Sequence, residues 1–260
     1  MMRNDICDCP VSLSDAAVVD HWNGVITGFL SHGTQTPVHL GKVLEAAPDF
    51  AMGHAARGLF SLMMGRAELI SVAREAHAAA QAALARVGAA PRERLWVQAL
   101  GEWLHGRPTG AVAAMEAALR LQPRDTLSAK VCHAIRFVLG DAKGMRASVE
   151  AVLDAHRIHP MRGYLLGCHA FALEETGDYD AARRTGLQGL VHAPDDAWGL
   201  HAVAHVFDMT ARPDDGIALI ESHTHAWDHC NNFRYHVWWH KALLHMDQGD
   251  LDVALGLYDE

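Results

Sequence analysis

An all-α chain of repeated helical hairpins is the fold this sequence predicts, and three observations predict it. Alanine and leucine dominate while β-branched and aromatic runs are few, a balance that favours helix over strand. Half of the 260 residues are hydrophobic, enough to fill a buried core. A short punctuation element recurs: Gly106-Arg-Pro-Thr-Gly110, Gly140-Asp-Ala-Lys-Gly144, Gly177-Asp-Tyr-Asp-Ala181, Arg212-Pro-Asp-Asp-Gly216 and Gly249-Asp-Leu-Asp-Val253. Its starts lie 34, 37, 35 and 37 residues apart.

That spacing sits near the tetratricopeptide period of about 34, with a Gly-x-Tyr-x-x-Ala turn between two helices. Gly177-Asp-Tyr-Asp-Ala-Ala182 is its cleanest copy. Glycine suits the turn because it accepts positive φ at a helix end. The expected architecture is therefore a tetratricopeptide-like helical-hairpin solenoid, a right-handed superhelix.

Taken in order, residues 1–13 read as a flexible N-terminal tail and 14–260 as a single solenoid domain. Ser14–Ser31 reads as one helix capped by Ser14, Thr36–Ala46 as a second, and 49–64 with 66–87 as a hairpin with a long second arm. Pro91–His105 opens on a proline, favourable in a first turn. Ala111–Leu121 carries Val112, Met115, Leu119 and Leu121 on one side. Proline-plus-acid stretches, Gln122-Pro-Arg-Asp125 and Ala193-Pro-Asp-Asp196, punctuate successive hairpins, with the aspartates placed to cap free backbone N–H groups. Trp96 and Trp103 read as core, Arg92 and Arg94 as surface. The last helix leaves Leu251, Leu255, Leu257 and Tyr258 with no following repeat to cover them. A solenoid normally ends on a polar cap. The reading is thus of a chain truncated or uncapped at this end, or a homo-oligomer formed through the last repeat.

Composition narrows the partners. With 22 Lys+Arg against 31 Asp+Glu the formal net charge is -9, and no basic stripe runs along a face. Nucleic acid and anionic membranes are disfavoured on that ground. No apolar stretch reaches the roughly 18–20 residues that span a bilayer. The start of the chain lacks the apolar core of a signal peptide. Five irregularly spaced cysteines (Cys7, Cys9, Cys132, Cys168 and Cys230) read as reduced thiols of a cytoplasmic protein.

Several stretches resemble the tetratricopeptide repeat protein 38 family: Asp49-Phe-Ala-Met-Gly-His-Ala55, Pro91-Arg-Glu-Arg-Leu95, Asp196-Ala-Trp-Gly-Leu-His-Ala-Val-Ala-His-Val206, and His236-Val-Trp-Trp-His240 followed by Gly249-Asp and Leu257-Tyr-Asp259. The resemblance runs from about residue 12 to the end and implies a cytosolic α-helical repeat protein. It implies no reaction. Family members continue beyond the tyrosine-aspartate pair.

Histidine is the compositional anomaly, with 19 copies. Trp198, His201 and His205 align with Phe233, His236 and His240 at an offset of 35. Histidines four apart lie on one helix face. Cys132-His133 and Cys168-His169 fall near the same level of earlier hairpins. First helices of such hairpins line the concave groove. A His/Trp-lined groove is therefore expected, with His169, Trp198, His201, His205, His236, Trp239 and His240 as ligand-binding candidates and Trp238 beside them.

Three uses of the pairs remain open. Buried histidines pack between helices, and duplicated hairpins copy any core histidine. A groove could hold a small molecule or peptide. Imidazoles are also zinc-class ligands, so His201, His205, His236 and His240 are candidates both for a divalent metal such as zinc and for catalysis. For the chain as a whole, the alternatives to a binding groove are an enzyme performing metal-assisted or acid–base hydrolysis of a small polar substrate and a plain interaction scaffold. Asp208, Asp228 and Glu174 are possible carboxylate partners. No His-Glu-x-x-His, phosphate loop or nucleophile signature is present. His223, His225 and His229 read as a solvated loop, with a metal reading open beside Cys230.

Overall fold

The computed structural model describes residues 2–259, and their regular secondary structure is almost entirely helical. The chain divides into two compact units, Met1–Gly28 with Gln35–Asp141, and Phe29–Thr34 with Ala142–Glu260. A single domain was the expectation.

The first unit opens on two short antiparallel strands, β1 (Arg3–Asn4) and β2 (Pro10–Val11), with Arg3 opposite Val11. Helices α1 (Ala16–Leu30, whose last two residues fall in the second unit), α2 (Thr36–Ala46), α3 (Ala51–Met63), α4 (Leu69–Val87), α5 (Pro91–Leu104), α6 (Pro108–Leu121) and α7 (Thr126–Val138) follow. Each of α3 to α6 packs on the next, and α3 also packs on α5. Trp22, Phe50 and Trp96 are fully buried, with Trp22 and Phe50 meeting edge to face. Met52 and Met115 are buried and Met64 is exposed; Leu121, expected on the same side as Met115, is also exposed.

Two expectations fail here for one reason. The N-terminal residues are not a flexible tail: Cys7 and Cys9 are buried, and their backbone N–H groups donate to Asp5 Oδ1. Arg92 is not a surface residue: it is 2% exposed, with Nη2 2.8 Å from Asp5 Oδ2 and Nε 3.1 Å from Asp125 Oδ2. Burying one charge is costly, whereas a buried cation held between two carboxylates is compensated. The same carboxylates, with burial foremost, push the Cys7 thiol up to about 12. Asp5 lies 87 positions from Arg92, so local pattern could not show the pair.

The second unit contains α8 (Ala142–Glu150), a 3₁₀ turn (Asp154–His156), α9 (Arg162–Glu174), α10 (Tyr179–His192), α11 (Ala197–Met209), α12 (Pro213–Ser222), a second 3₁₀ turn (Thr224–Ala226), α13 (Phe233–Gln248) and α14 (Leu251–Asp259). Here α9 packs on α10, α11 on α12 and α13 on α14, while α9 packs on α11 and α11 on α13. The core is built from Leu200, Val203, Phe207, Ile220 and Leu244. On the last helix Leu251, Leu255 and Tyr258 are exposed as expected, but Leu257 is buried, and its carbonyl accepts from the Trp238 indole N–H at 2.6 Å.

The punctuation elements are helix ends of one kind. The N–H groups of Arg107, Asp141, Asp178, Arg212 and Asp250 reach back to the carbonyls of Glu102, Arg136, Leu173, Phe207 and His245. The preceding residue bonds three back in each case, which closes a Schellman motif. Gly106, Gly140, Gly177 and Gly249 hold the left-handed position, with φ between 68° and 84°. The fourth motif has no glycine at that position, and Ala211 occupies it at φ 54°. At helix starts, the Asp125 carboxylate accepts from the Ser128 N–H at 3.1 Å, as expected of a cap. At α1 the side-chain cap expected of Ser14 comes from Asp15, whose carboxylate accepts from the Ala17 N–H at 2.8 Å.

Candidate metal centre

The site lies within the second unit, on α11 and α13 with α9 behind. Glycines set the α9–α11 approach. A Cβ on Gly199 would stand 3.1 Å from Gly167 Cα, and one on Gly167 would meet the buried Asp196 carboxylate at 1.9 Å. Side chains at both positions would force the helices apart. This close seating sets Phe171 and Glu174 of α9 against His201 and His205 of α11.

His201 and His205 stand one turn apart on α11, as do His236 and His240 on α13. All four turn Nε2 toward one point. His236 lies 2.8 Å from His201, His240 lies 3.1 Å from His201 and from His205, and His240 lies 3.2 Å from His236, each distance between Nε2 atoms. One ligand atom from each ring lies within 4.8 Å of every other. An imidazole Nε2 has a single in-plane site, occupied by a proton or by a lone pair. Four such atoms can therefore form at most two N–H···N bonds among themselves, and four lone pairs would repel. A tetrahedral ion with metal–nitrogen bonds of about 2.0–2.1 Å needs nitrogens roughly 3.3–3.4 Å apart; four of the six separations here are 2.8–3.2 Å, and all six lie within 4.8 Å.

The walls are aromatic. Phe171 stacks on His201 at 5.8 Å between ring centres, Trp198 and Phe233 each lie 5.4 Å from it, and Trp239 stacks on His236 at 5.5 Å. His201 and His240 are buried, whereas Trp239 is half exposed at the edge. Burial first, and the neighbouring imidazoles second, hold His201 well below its ordinary pKa, lower His236, and push His240 down to about 3. At neutral pH these three rings are thus uncharged, the form that donates a lone pair to a metal.

Other candidates lie elsewhere. His169 Nε2 stands 3.3 Å from Glu150 Oε1 and is not one of the four. His133 is buried within the first unit. Trp238 packs on Trp227. Asp228 is exposed, and the Asp208 carboxyl is raised by burial and by the neighbouring Asp247. Glu174 is no direct ligand: its Oε1 is 3.7 Å from His205 Nδ1, on the side away from the shared point. In the 223–229 loop, His223 Nδ1 lies 3.0 Å from the Leu219 carbonyl, His225 is exposed, and His229 Nε2 lies 3.0 Å from the Ser31 carbonyl.

His32 is the residue the sequence reading missed. Its ring stacks on Phe233 at 4.4 Å and faces Trp198 at 6.0 Å. Its backbone holds φ 58°, and its carbonyl accepts from the Asn231 N–H at 2.8 Å. Nothing periodic in the sequence marks a histidine about 200 positions upstream as part of this wall. Family models were compared with the chain, and none matches.

Proposed function

We propose that this chain is a tetratricopeptide-like helical-repeat protein of the cytosol, similar to the tetratricopeptide repeat protein 38 family, whose second unit binds a zinc-class divalent metal through His201, His205, His236 and His240. The observation that carries this reading is the approach of four Nε2 atoms to within 4.8 Å of one another. Packing alone gives histidine no reason to aim its polar edge at three other polar edges inside an aromatic wall. All-imidazole ligation suits zinc, copper, nickel or iron and disfavours calcium and magnesium, which prefer oxygen. A set of four protein ligands fills a tetrahedral shell, so the reading is of a bound ion that holds α11 to α13. The Trp239 edge is where a small molecule or peptide would approach. Hydrolysis of a small polar substrate would need a fifth, open position on the ion.

Protein made without a histidine tag and analysed for metal content should carry about one equivalent of a late divalent metal, and metal-stripped protein should rebind one equivalent of zinc. His236→Ala, at the partly exposed ligand, should fold normally and lose at least 10-fold in zinc affinity. Wild type that rebinds well below one equivalent removes the reading.

A further inference from the structure

Behind the four imidazoles lies a carboxylate with no evident reason to be buried. Glu174, the last residue of α9, is 6% exposed. Its Oε2 is buried without a hydrogen-bond partner, and among the described residues no lysine or arginine forms an ion pair with it. The side chain's near neighbour is His205 Nδ1, 3.7 Å from Oε1. Its other electrostatic neighbours are Glu175 and Asp208, both acids. A carboxylate so placed loses hydration and gains nothing in return unless positive charge is nearby.

We infer that Glu174 is the positioning residue of the metal centre: its carboxylate faces the Nδ1 edge of His205 at 3.7 Å, beyond hydrogen-bond length, and its negative charge favours the Nδ1–H tautomer, so that Nε2 keeps its lone pair for the ion, and offsets the charge that four neutral ligands leave on it. The inference rests on the four-histidine reading above. Two features make it specific. First, a neutral imidazole carries one proton, and a negative charge behind Nδ1 favours it there, which leaves Nε2 bare. His201, by contrast, has a buried Nδ1 with no partner, so its tautomer lacks such a guide. Second, a divalent ion held only by imidazoles carries its full double charge into an aromatic pocket. A carboxylate one ring away compensates that charge, and the ion in turn compensates the carboxylate.

The consequence is a pair of effects with opposite sign. Without metal, Glu174 is a buried, uncompensated acid, and its removal relieves the protein. With metal, its removal costs affinity. Glu174→Gln keeps the shape and removes the charge. Tag-free wild type and Glu174→Gln would be stripped, titrated with cobalt(II) by visible absorption, and melted with and without metal. Cobalt affinity should fall about 10- to 100-fold in the variant, while the Tm of the metal-free variant should equal or exceed that of metal-free wild type. Glu174→Met, apolar and of similar volume, should show the same two signs and guards against a misplaced glutamine amide. Equal cobalt affinity in wild type and both variants overturns the inference while leaving the metal centre standing. A lower metal-free Tm with unchanged affinity also overturns it, since that marks a packing role. Wild type that takes up no cobalt removes the inference together with the reading beneath it.

Discussion

Single side chains in this protein are defined less by type than by what surrounds them, and His133 is the clearest case. It is 1% exposed, and burial, with the charge of Lys130 adding to it, lowers its pKa from 6.5 to about 3. Below pH 6.5 the unfolded chain takes up a proton that the folded chain refuses until pH nears 3. More protons on the unfolded side mean that stability falls with falling pH across that window, by up to about 1.4 kcal/mol per pH unit. His133→Gln removes the titration. Between pH 7 and pH 5 wild type should lose about 2 kcal/mol more urea stability than the variant. Parallel losses in the two proteins would show that His133 is not held neutral. Arg92 teaches the same lesson from the other side. Its helix position gave it a surface reading, and only Asp5 and Asp125, brought in from distant segments, explain why a guanidinium is buried.

At the scale of elements, the helices and their ends were legible. Thr36–Ala46 and the proline start of α5 stand where the pattern put them, and the five punctuation motifs are five helix ends with one hydrogen-bond scheme. The reason is that a Schellman end is a local structure, determined by a few consecutive residues and a left-handed backbone position. Ala211 shows what happens where that chemistry is incomplete. A left-handed backbone costs an L-residue about 1–2 kcal/mol, partly offset by the entropy that glycine would lose. Ala211→Gly should therefore raise stability by about 1 kcal/mol, read as a higher urea midpoint with an unchanged slope. The histidine pairs were legible for a similar reason, since two residues four apart must share a helix face. Which way their nitrogens point was not legible. That depends on rotamers chosen by the neighbours, and on an α9–α11 approach that works only because Gly167 and Gly199 have no side chain.

For the molecule as a whole, two compact units divide the chain, and the four-histidine cluster belongs entirely to the second. Binding energy for a ligand of the folded state adds to stability by mass action, about 2.7 kcal/mol at a free concentration 100 times Kd. Metal should therefore slow amide hydrogen exchange in α11 and α13 and leave α3 to α6 of the first unit unchanged. Equal protection throughout, or none, would argue against a centre confined to the second unit. Among the described residues no helix is long and apolar enough to cross a membrane, and no disulfide joins the five cysteines. The net charge of -9 sets long-range attraction toward cations rather than nucleic acid.

By itself the sequence determined the helical class, the hairpin ends and the two histidine pairs, because each of these depends on residues within a turn or two of one another. Tertiary structure alone decided that the N-terminal residues would pack, that Arg92 would be buried, that His32 would join an aromatic wall, and that four Nε2 atoms would meet with Glu174 behind one of them. Those outcomes depend on side-chain rotamers and on distances between segments far apart in the chain, and neither is encoded by local periodicity.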